Sequence, residues 1–175
     1  KNGKKIDFDL NLDLKKTDFQ LDFINYKKNS KFNTKLKING SYEPDKNLSL
    51  DNLIILENDN KIKVRKLVLN ENFLISNLDY IQFNYIDTEN KLNKYSIKKI
   101  KKNNYDFIGS SINANTLITS LLESKDKKTK KILQNSIDLN INLDEIFLDQ
   151  TNYISGLKGN LFIKDNSVID ANLSA

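Results

Sequence analysis

Apolar and polar residues alternate strictly along the first part of the chain. From Ile6 to Leu14 every second residue is apolar, and each residue between them is Asp or Asn. Because a strand points successive side chains to opposite faces, this alternation predicts a strand with one apolar and one polar face. The alternation recurs further along the chain, with the apolar side chains Phe19, Leu21, Phe23, Leu36 and Ile38.

Short polar segments separate these alternating runs. They lie at 43–47, 58–60, 70–72, 88–90 and 102–104, and the first of them holds the only proline of the chain. Asn, Asp and Pro are typical turn residues, so we expect an antiparallel meander of strands joined by tight turns. The alternation slips in phase between Leu50 and Leu53 and between Val64 and Leu67, which predicts β-bulges that bend the sheet. The predicted fold class is therefore mainly β, a long antiparallel meander that curls into an open groove or closes as a sandwich.

One segment has helical rather than strand spacing. Asn113 or Asn115 can cap a helix that begins at this point, and we predict a short helix over 115–124. Its apolar stripe should pack on the apolar face of the sheet as a plug. The stripe is formed by Leu117, Ile118, Leu121 and Leu122.

These elements predict one domain in three parts. A first meander covers 1–104, a strand, helix and linker cover 105–135, and a second meander over 136–175 continues the same sheet. The sequence holds no methionine, so we expect the chain to be a segment of a longer protein.

The composition limits the chemistry of the chain. It has no Cys and no His, which excludes thiol nucleophiles, Cys/His zinc sites and every triad that uses imidazole as its base. With five glycines there is no glycine-rich phosphate loop. The carboxylates of Asp7, Asp9 and Asp13 lie on the polar face of a predicted strand, where a solvated surface is the simpler interpretation than acid–base catalysis. We therefore expect no enzyme activity, no cofactor and no metal.

The net charge of +5 suggests a nucleic-acid partner at first sight, but the composition argues against one. Lys, Asn and Ile, whose codons are AT-rich, are abundant, so a low-GC genome explains the lysines. Arg, the residue that recognises phosphate and guanine in a bidentate manner, occurs once, as Arg65. Two dense basic runs, at 98–102 and 125–131, leave open a weaker hypothesis in which the chain docks on anionic lipid headgroups.

A sheet that is apolar on one face needs a covering layer. If the sheet closes on itself, the apolar side chains are an ordinary sandwich core, and the chain is a non-catalytic structural or interaction module. If it stays open, its apolar trough would be stabilised by acyl chains, since each buried methylene contributes about 0.8 kcal/mol. In that case the residues lining the groove would be Phe8, Leu10, Leu12, Phe19, Leu21, Phe23, Leu36 and Ile38.

Two segments resemble a known family. The run 105–122, YDFIGSSINANTLITSLL, has a strand that ends in Gly, a short element of small residues, and an amphipathic helix of the pattern L-I-x-x-L-L. The run 137–161 pairs an alternating strand with a later L-x-G-x-L pattern. Together they resemble the AsmA-like family of large envelope proteins, of the YhdP and TamB type, with Asn113 standing where that family has Asp.

This resemblance implies a function. AsmA-like proteins form a long repeating β-groove on an inner-membrane anchor and carry phospholipid acyl chains across the periplasm toward the outer membrane. By that resemblance the chain would be one slice of the groove in the envelope of a low-GC Gram-negative bacterium. Its partners would be phospholipid acyl chains and the remainder of the parent chain, and it would have no catalytic residues.

Overall fold

The computed structural model describes residues 4–116, 133, 135–164 and 167–175. The strands within these residues are β1 (Ile6–Asp13), β2 (Gln20–Leu21), β3 (Tyr26–Lys27), β4 (Thr34–Glu43), β5 (Asn47–Glu57), β6 (Asn60–Asn70), β7 (Ile75–Asn77), β8 (Tyr80–Ile86), β9 (Leu92–Lys101), β10 (Asn104–Asn113), β11 (Ile137–Phe147), β12 (Tyr153–Lys164) and β13 (Ser167–Ser174).

All strands except β2 and β3 belong to one eleven-stranded sheet. Its order is β1-β4-β5-β6-β8-β9-β10-β11-β12-β13, and β7 pairs with the end of β6. The sheet is mostly antiparallel and curled, and it is not closed into a barrel. The prediction of a mainly β fold built on a long curled sheet is therefore confirmed.

One pairing departs from the predicted antiparallel meander, because β10 and β11 run parallel. Parallel neighbours need a crossover that returns the chain to the starting end of the first strand, which takes a dozen or more residues. The segment between Asn113 and Ile137 supplies that length. The sequence pattern of each strand is the same in parallel and antiparallel pairs, so the alternation alone did not reveal the change of direction.

The hairpin turns lie where polar segments predicted them. Turns join β4 to β5, β5 to β6, β8 to β9 and β9 to β10. Each contains one residue with a positive φ, namely Asp45, Asn58, Asn90 and Asn103. Asn and Asp tolerate this left-handed conformation better than other non-glycine residues, which lets a chain with few glycines form many tight turns.

The predicted phase slips are β-bulges that lie side by side in the neighbouring strands β5 and β6. Asp51 is the extra residue of β5 and has no partner in the register with β4 or β6. Lys66 is the residue of β6 next to it, and its φ is 50°. Gly40 is required beside this bulge, because a Cβ on it would lie 2.0 Å from the carbonyl oxygen of Ser49. Because both strands have their extra residue at the same point of the pairing, the apolar side chains before and after the bulges stay on one face of the sheet.

The segment 14–33 is not the strand that Phe19, Leu21 and Phe23 predicted. It contains the short hairpin of β2 and β3 around a 3-10 turn, Asp22–Ile24. Asn25, at φ 54°, ends this turn. The chain then returns so that β4 pairs directly with β1, and we call the segment 14–33 the cap.

The start of the predicted helix is visible. Asn115 and Thr116 are helical, and the side-chain oxygen of Asn113 accepts the backbone N–H of Asn115 at 3.1 Å, as a helix-capping residue does. The plug residues Leu117, Ile118, Leu121 and Leu122 lie outside the described residues.

A polar cluster ties the β8–β9 turn to the end of β10. Asp87, which is 7% exposed, accepts the backbone N–H groups of Glu89 and Lys91, each at 2.9 Å. Its other oxygen accepts the side-chain amides of Asn93 at 3.0 Å and Asn113 at 2.7 Å. This carboxylate therefore holds the turn and the beginning of the crossover together.

Candidate functional site: the apolar face of the sheet

A single row of apolar residues crosses the sheet from one edge to the other. The row follows the strand register through ten strands, and we call it the Leu10 row. It consists of Leu10, Ile38, Leu53, Val64, Ile81, Ile97, Phe107, Ile141, Gly159 and Leu173. Residues opposite each other in a register point to the same face, so these side chains form one continuous apolar strip.

The neighbouring row on the opposite face is polar along its whole length. It begins at Asp9, and we call it the Asp9 row. It consists of Asp9, Asn39, Asn52, Arg65, Tyr80, Lys98, Asp106, Asn140, Asn160 and Asn172. Along these two rows, one face of the sheet is apolar and the other is polar.

Burial changes along the Leu10 row. Val64 and Ile141, in central strands, are each 7% exposed, whereas Leu10 and Leu173, on the two edge strands, are 46% and 41% exposed. The buried members of the central strands belong to the apolar face, so this face lies on the inside of the curl. The strip is thus covered in the middle and open at both edges.

The cap covers part of this face. Phe19, Leu21 and Ile24 pack against a cluster in which Tyr26 of the cap joins four sheet residues. The rings of Tyr26 and Tyr85 meet edge-on at 5.5 Å, and the Tyr85 hydroxyl donates to the carbonyl oxygen of Ile24 at 2.5 Å. The sheet members of this cluster are Ile55, Ile62, Phe83 and Tyr85.

Buried polar groups join the cap to the sheet and hold the cap together internally. Glu57, 2% exposed, accepts the Tyr26 hydroxyl at 2.7 Å and the backbone N–H of Asn29 at 2.9 Å. Lys28, 1% exposed, donates to the carbonyl oxygens of Asn29 and Phe32, each at 3.3 Å. Every one of these contacts satisfies a group that would be costly to bury alone, so the cap has a defined position.

A second cluster fills the apolar face further along the sheet. It is built on Tyr105, Ile112, Leu139, Ile141, Leu143 and Ile146. Leu78 and Ala114 pack against it, and Leu133 forms a parallel bridge with Ile75. Tyr95 packs against both clusters, with its ring 4.8 Å from that of Phe83 and 5.4 Å from that of Phe107. Aromatic rings therefore link the capped part of the face to this second cluster.

The structure brings five of the eight predicted lining residues together on the apolar face of β1 and β4. Leu10 and Leu12 are exposed, and the other three are partly buried. These five are Phe8, Leu10, Leu12, Leu36 and Ile38.

The other three predicted lining residues are in the cap rather than in the sheet. Phe19 and Leu21 lie against the apolar face and cover it. Phe23 is 64% exposed, because the 3-10 turn replaces strand alternation and directs Ile24 inward instead. The most deeply buried residues of the face, in β6, β8 and β11, were not among the predicted ones. Alternation shows which side chains of a strand share a face, but it does not show which strands lie beside it and bury them.

Two features are absent from the part of the chain that the structure describes. Within the described residues, no group of three or more His, Cys, Asp or Glu side chains comes together as a metal site would require. In the same part of the chain, no helix combines the length and the apolar character needed to cross a bilayer. No protein-family model, curated protein or solved structure matches the chain.

Burial under the cap and in the sheet raises the pKa of the Tyr26, Tyr85 and Tyr95 hydroxyls above their usual value; for Tyr26 the bond to Glu57 adds to the effect. A raised pKa in the folded state means that folding favours the protonated form. This contribution to stability is complete below pH about 10, where tyrosine ionises in an unfolded chain, and it falls as the pH rises further.

We expect the absorbance of tyrosinate from these residues to appear together with unfolding, and Tyr85→Phe to make the alkaline loss of stability less steep. Ionisation of all seven tyrosines in the folded chain would contradict this expectation.

Proposed function

We propose that the apolar face binds the acyl chains of phospholipids and that the chain is a lipid-conducting or lipid-shielding segment of an envelope protein. The observation that carries the proposal is the Leu10 row. It contains no polar side chain between β1 and β13, and its exposed leucines leave it open at both edges. The apolar side chains exposed at the two edges of the strip are surface that an acyl chain can cover.

The length of the strip supports an acyl ligand. Ten strands have nine spacings of about 4.8 Å, so the row is about 43 Å long. The hydrocarbon of one leaflet is about 15 Å thick, half of the ~30 Å bilayer core. The strip is therefore long enough for more than one acyl chain, each gaining about 0.8 kcal/mol for every methylene that it buries.

The resemblance to AsmA-like proteins supports the same proposal, which places the chain in the periplasm of a Gram-negative cell. The rest of the parent chain would continue the sheet and anchor it to the inner membrane. The lipid, and not a nucleic acid, would be the partner of this face, since no cation belongs to the Leu10 row.

The cap favours a second candidate, a non-catalytic structural or interaction module. It buries Tyr26, Ile62 and Phe83 as firmly as a domain core would, at 5% exposure or less. If the whole apolar face is covered in this way by protein, no surface remains for an acyl chain. The two candidates differ in what an altered apolar strip does to the fold.

The decisive test is a pair of double variants on β1 and β4. Leu10→Asp with Ile38→Asp places two carboxylates on the strip, and Asn11→Asp with Asn39→Asp adds the same charge to the polar face of the same strands. An unpaired carboxylate against an acyl chain costs several kcal/mol, so we expect phospholipid bound to the purified chain, measured by native mass spectrometry, to fall more than about tenfold in the first variant only.

The stability of the same variants separates the candidates. Loss of lipid with an unchanged circular dichroism spectrum fits an open groove, because Leu10 is already exposed to solvent. Unfolding of the first variant, or a lipid-free parent chain that melts cooperatively, would instead identify a closed structural module.

A further inference from the structure

A basic cleft lies on the polar face, away from the Leu10 row. The Lys66 bulge and the break between β7 and β8 leave a recess of about 710 Å³ beside the β9–β10 turn. Its floor is the part of the Asp9 row where Arg65, Tyr80 and Lys98 stand side by side in the register. The only arginine of the chain is therefore placed in the middle of a concave surface.

The cleft has a strong excess of positive charge. Its cationic lining residues are Arg65, Lys66, Lys98, Lys99, Lys101 and Lys102, and its acidic ones are Asp51 and Asp79. Lys66 lies 3.8 Å from Asp79. In the described part of the chain, no carboxylate is within 4.0 Å of the other five cations. The ammonium of Lys99 donates to the side-chain oxygen of Asn77. A recess lined mostly by charges of one sign concentrates its field, so an anion entering the cleft would meet the remaining cations, Arg65, Lys98, Lys101 and Lys102, without a carboxylate beside them.

The side chain of Arg65 lies over a neighbouring aromatic ring. Its guanidinium carbon lies 4.5 Å from the centre of the Tyr80 ring, a cation–π arrangement. Stacking fixes the plane of the guanidinium and leaves its N–H edge available, which is the geometry that binds phosphate oxygens in pairs.

An exposed apolar side chain accompanies the cations. Ile100 lines the cleft and is 52% exposed. It is the extra residue of a bulge, since Asn104 pairs with Lys101 while Tyr105 pairs with Lys99. At a bilayer surface an apolar side chain enters the headgroup region while lysines contact the phosphates, which gives Ile100 a role beside the cations.

We propose that this cleft docks the chain on a bilayer surface that contains anionic phospholipids. Arg65 binds a headgroup phosphate, Lys98, Lys101 and Lys102 contact neighbouring headgroups, and Ile100 inserts between them. The docking surface is independent of the acyl-binding strip, because it lies on the opposite face of the sheet.

The test measures sedimentation of the chain with vesicles of phosphatidylcholine mixed with phosphatidylglycerol. The cleft variant carries Arg65→Gln, Lys98→Gln and Lys101→Gln. The control variant carries Lys35→Gln, Lys37→Gln and Lys158→Gln at exposed lysines outside the cleft, so it loses the same net charge. Each cation near the surface contributes about fivefold to binding, so we expect a loss of about 100-fold for the cleft variant and a much smaller one for the control. Equal losses in the two variants would overturn the proposal, because the binding would then depend on net charge alone.

Ile100→Ser distinguishes a bilayer from other polyanions. We expect it to weaken binding to the mixed vesicles and to leave any binding of inorganic polyphosphate unchanged. Binding to polyphosphate or to a single-stranded oligonucleotide that is as tight as binding to vesicles would overturn the assignment to a membrane. Phospholipid bound to the apolar strip, measured by native mass spectrometry, should be the same in the cleft variant and the parent, which separates failure of this proposal from failure of the groove.

Discussion

Replacing Tyr26 with alanine is expected to lower the free energy of unfolding by about 3–5 kcal/mol, the range for truncating a buried aromatic residue. Tyr26 is 1% exposed, and its ring lies 5.9 Å from that of Phe19 and 5.5 Å from that of Tyr85. Its loss removes the ring contact with Tyr85 and one of the three hydrogen bonds that the buried Glu57 carboxylate accepts. Urea denaturation of the two chains measures the difference.

Tyr26→Phe is the matched control for this prediction. It keeps the ring contacts and removes only the hydroxyl, so the loss should be about 1–2 kcal/mol, the cost of one hydrogen bond to a buried carboxylate that keeps its bonds from Asn29 and Asn60. Equal losses in the two variants would mean that Glu57, and not the packing of the ring, holds the cap.

Asp87→Ala is the second substitution with a large expected effect, a loss of about 3 kcal/mol or more. The carboxylate accepts four hydrogen bonds within the chain. Truncation removes the acceptor of the Glu89 and Lys91 backbone N–H groups and one acceptor each of the Asn93 and Asn113 amides. Asn93 is only 1% exposed, so water does not readily replace the lost oxygen. Each orphaned donor costs about 1–3 kcal/mol, and thermal and urea unfolding should both report the change.

Asp59→Ala serves as the control for Asp87, since both aspartates lie in β-hairpin turns. Asp59 is exposed, and substitutions of this kind usually change stability by less than about 0.5 kcal/mol. A loss at Asp59 as large as that at Asp87 would contradict a specific role for the polar cluster.

Local patterns predicted those parts of the fold that depend on local rules. The alternation from Ile6 to Leu14 identified β1 and its apolar face, because a strand has a period of two whatever its neighbours are. The slips near Asp51 and Lys66 identified the bulges for the same reason, since an extra residue shifts the phase of its own strand. The predicted residues Leu10 and Ile38 are accordingly found together in the Leu10 row.

The cap was not predictable from its own alternation. Phe19, Leu21 and Phe23 have the period of a strand, yet β1 takes β4 as its neighbour and leaves them without a place in the sheet. Their segment is instead held by the bond between Tyr26 and Glu57, which are 31 positions apart. Contacts of that separation leave no periodic mark in the sequence, and neither does the choice of sheet partner that brings Val64, Ile81 and Ile97 into one row.

The parallel pair of β10 and β11 limits how this sheet can polymerise. With one parallel pair among nine, the two edge strands, β1 and β13, run in the same direction. Copies stacked head to tail by translation would therefore join through a parallel pair, which is slightly the weaker kind. Turning each successive copy over restores antiparallel pairing but sets leucine and isoleucine beside aspartate and asparagine across the seam. Two regular free edges usually invite fibre growth, and strand direction and face polarity together oppose growth through unlike edges. Like edges, β13 with β13 or β1 with β1, pair antiparallel with both apolar faces on one side when a twofold axis perpendicular to the sheet relates the copies.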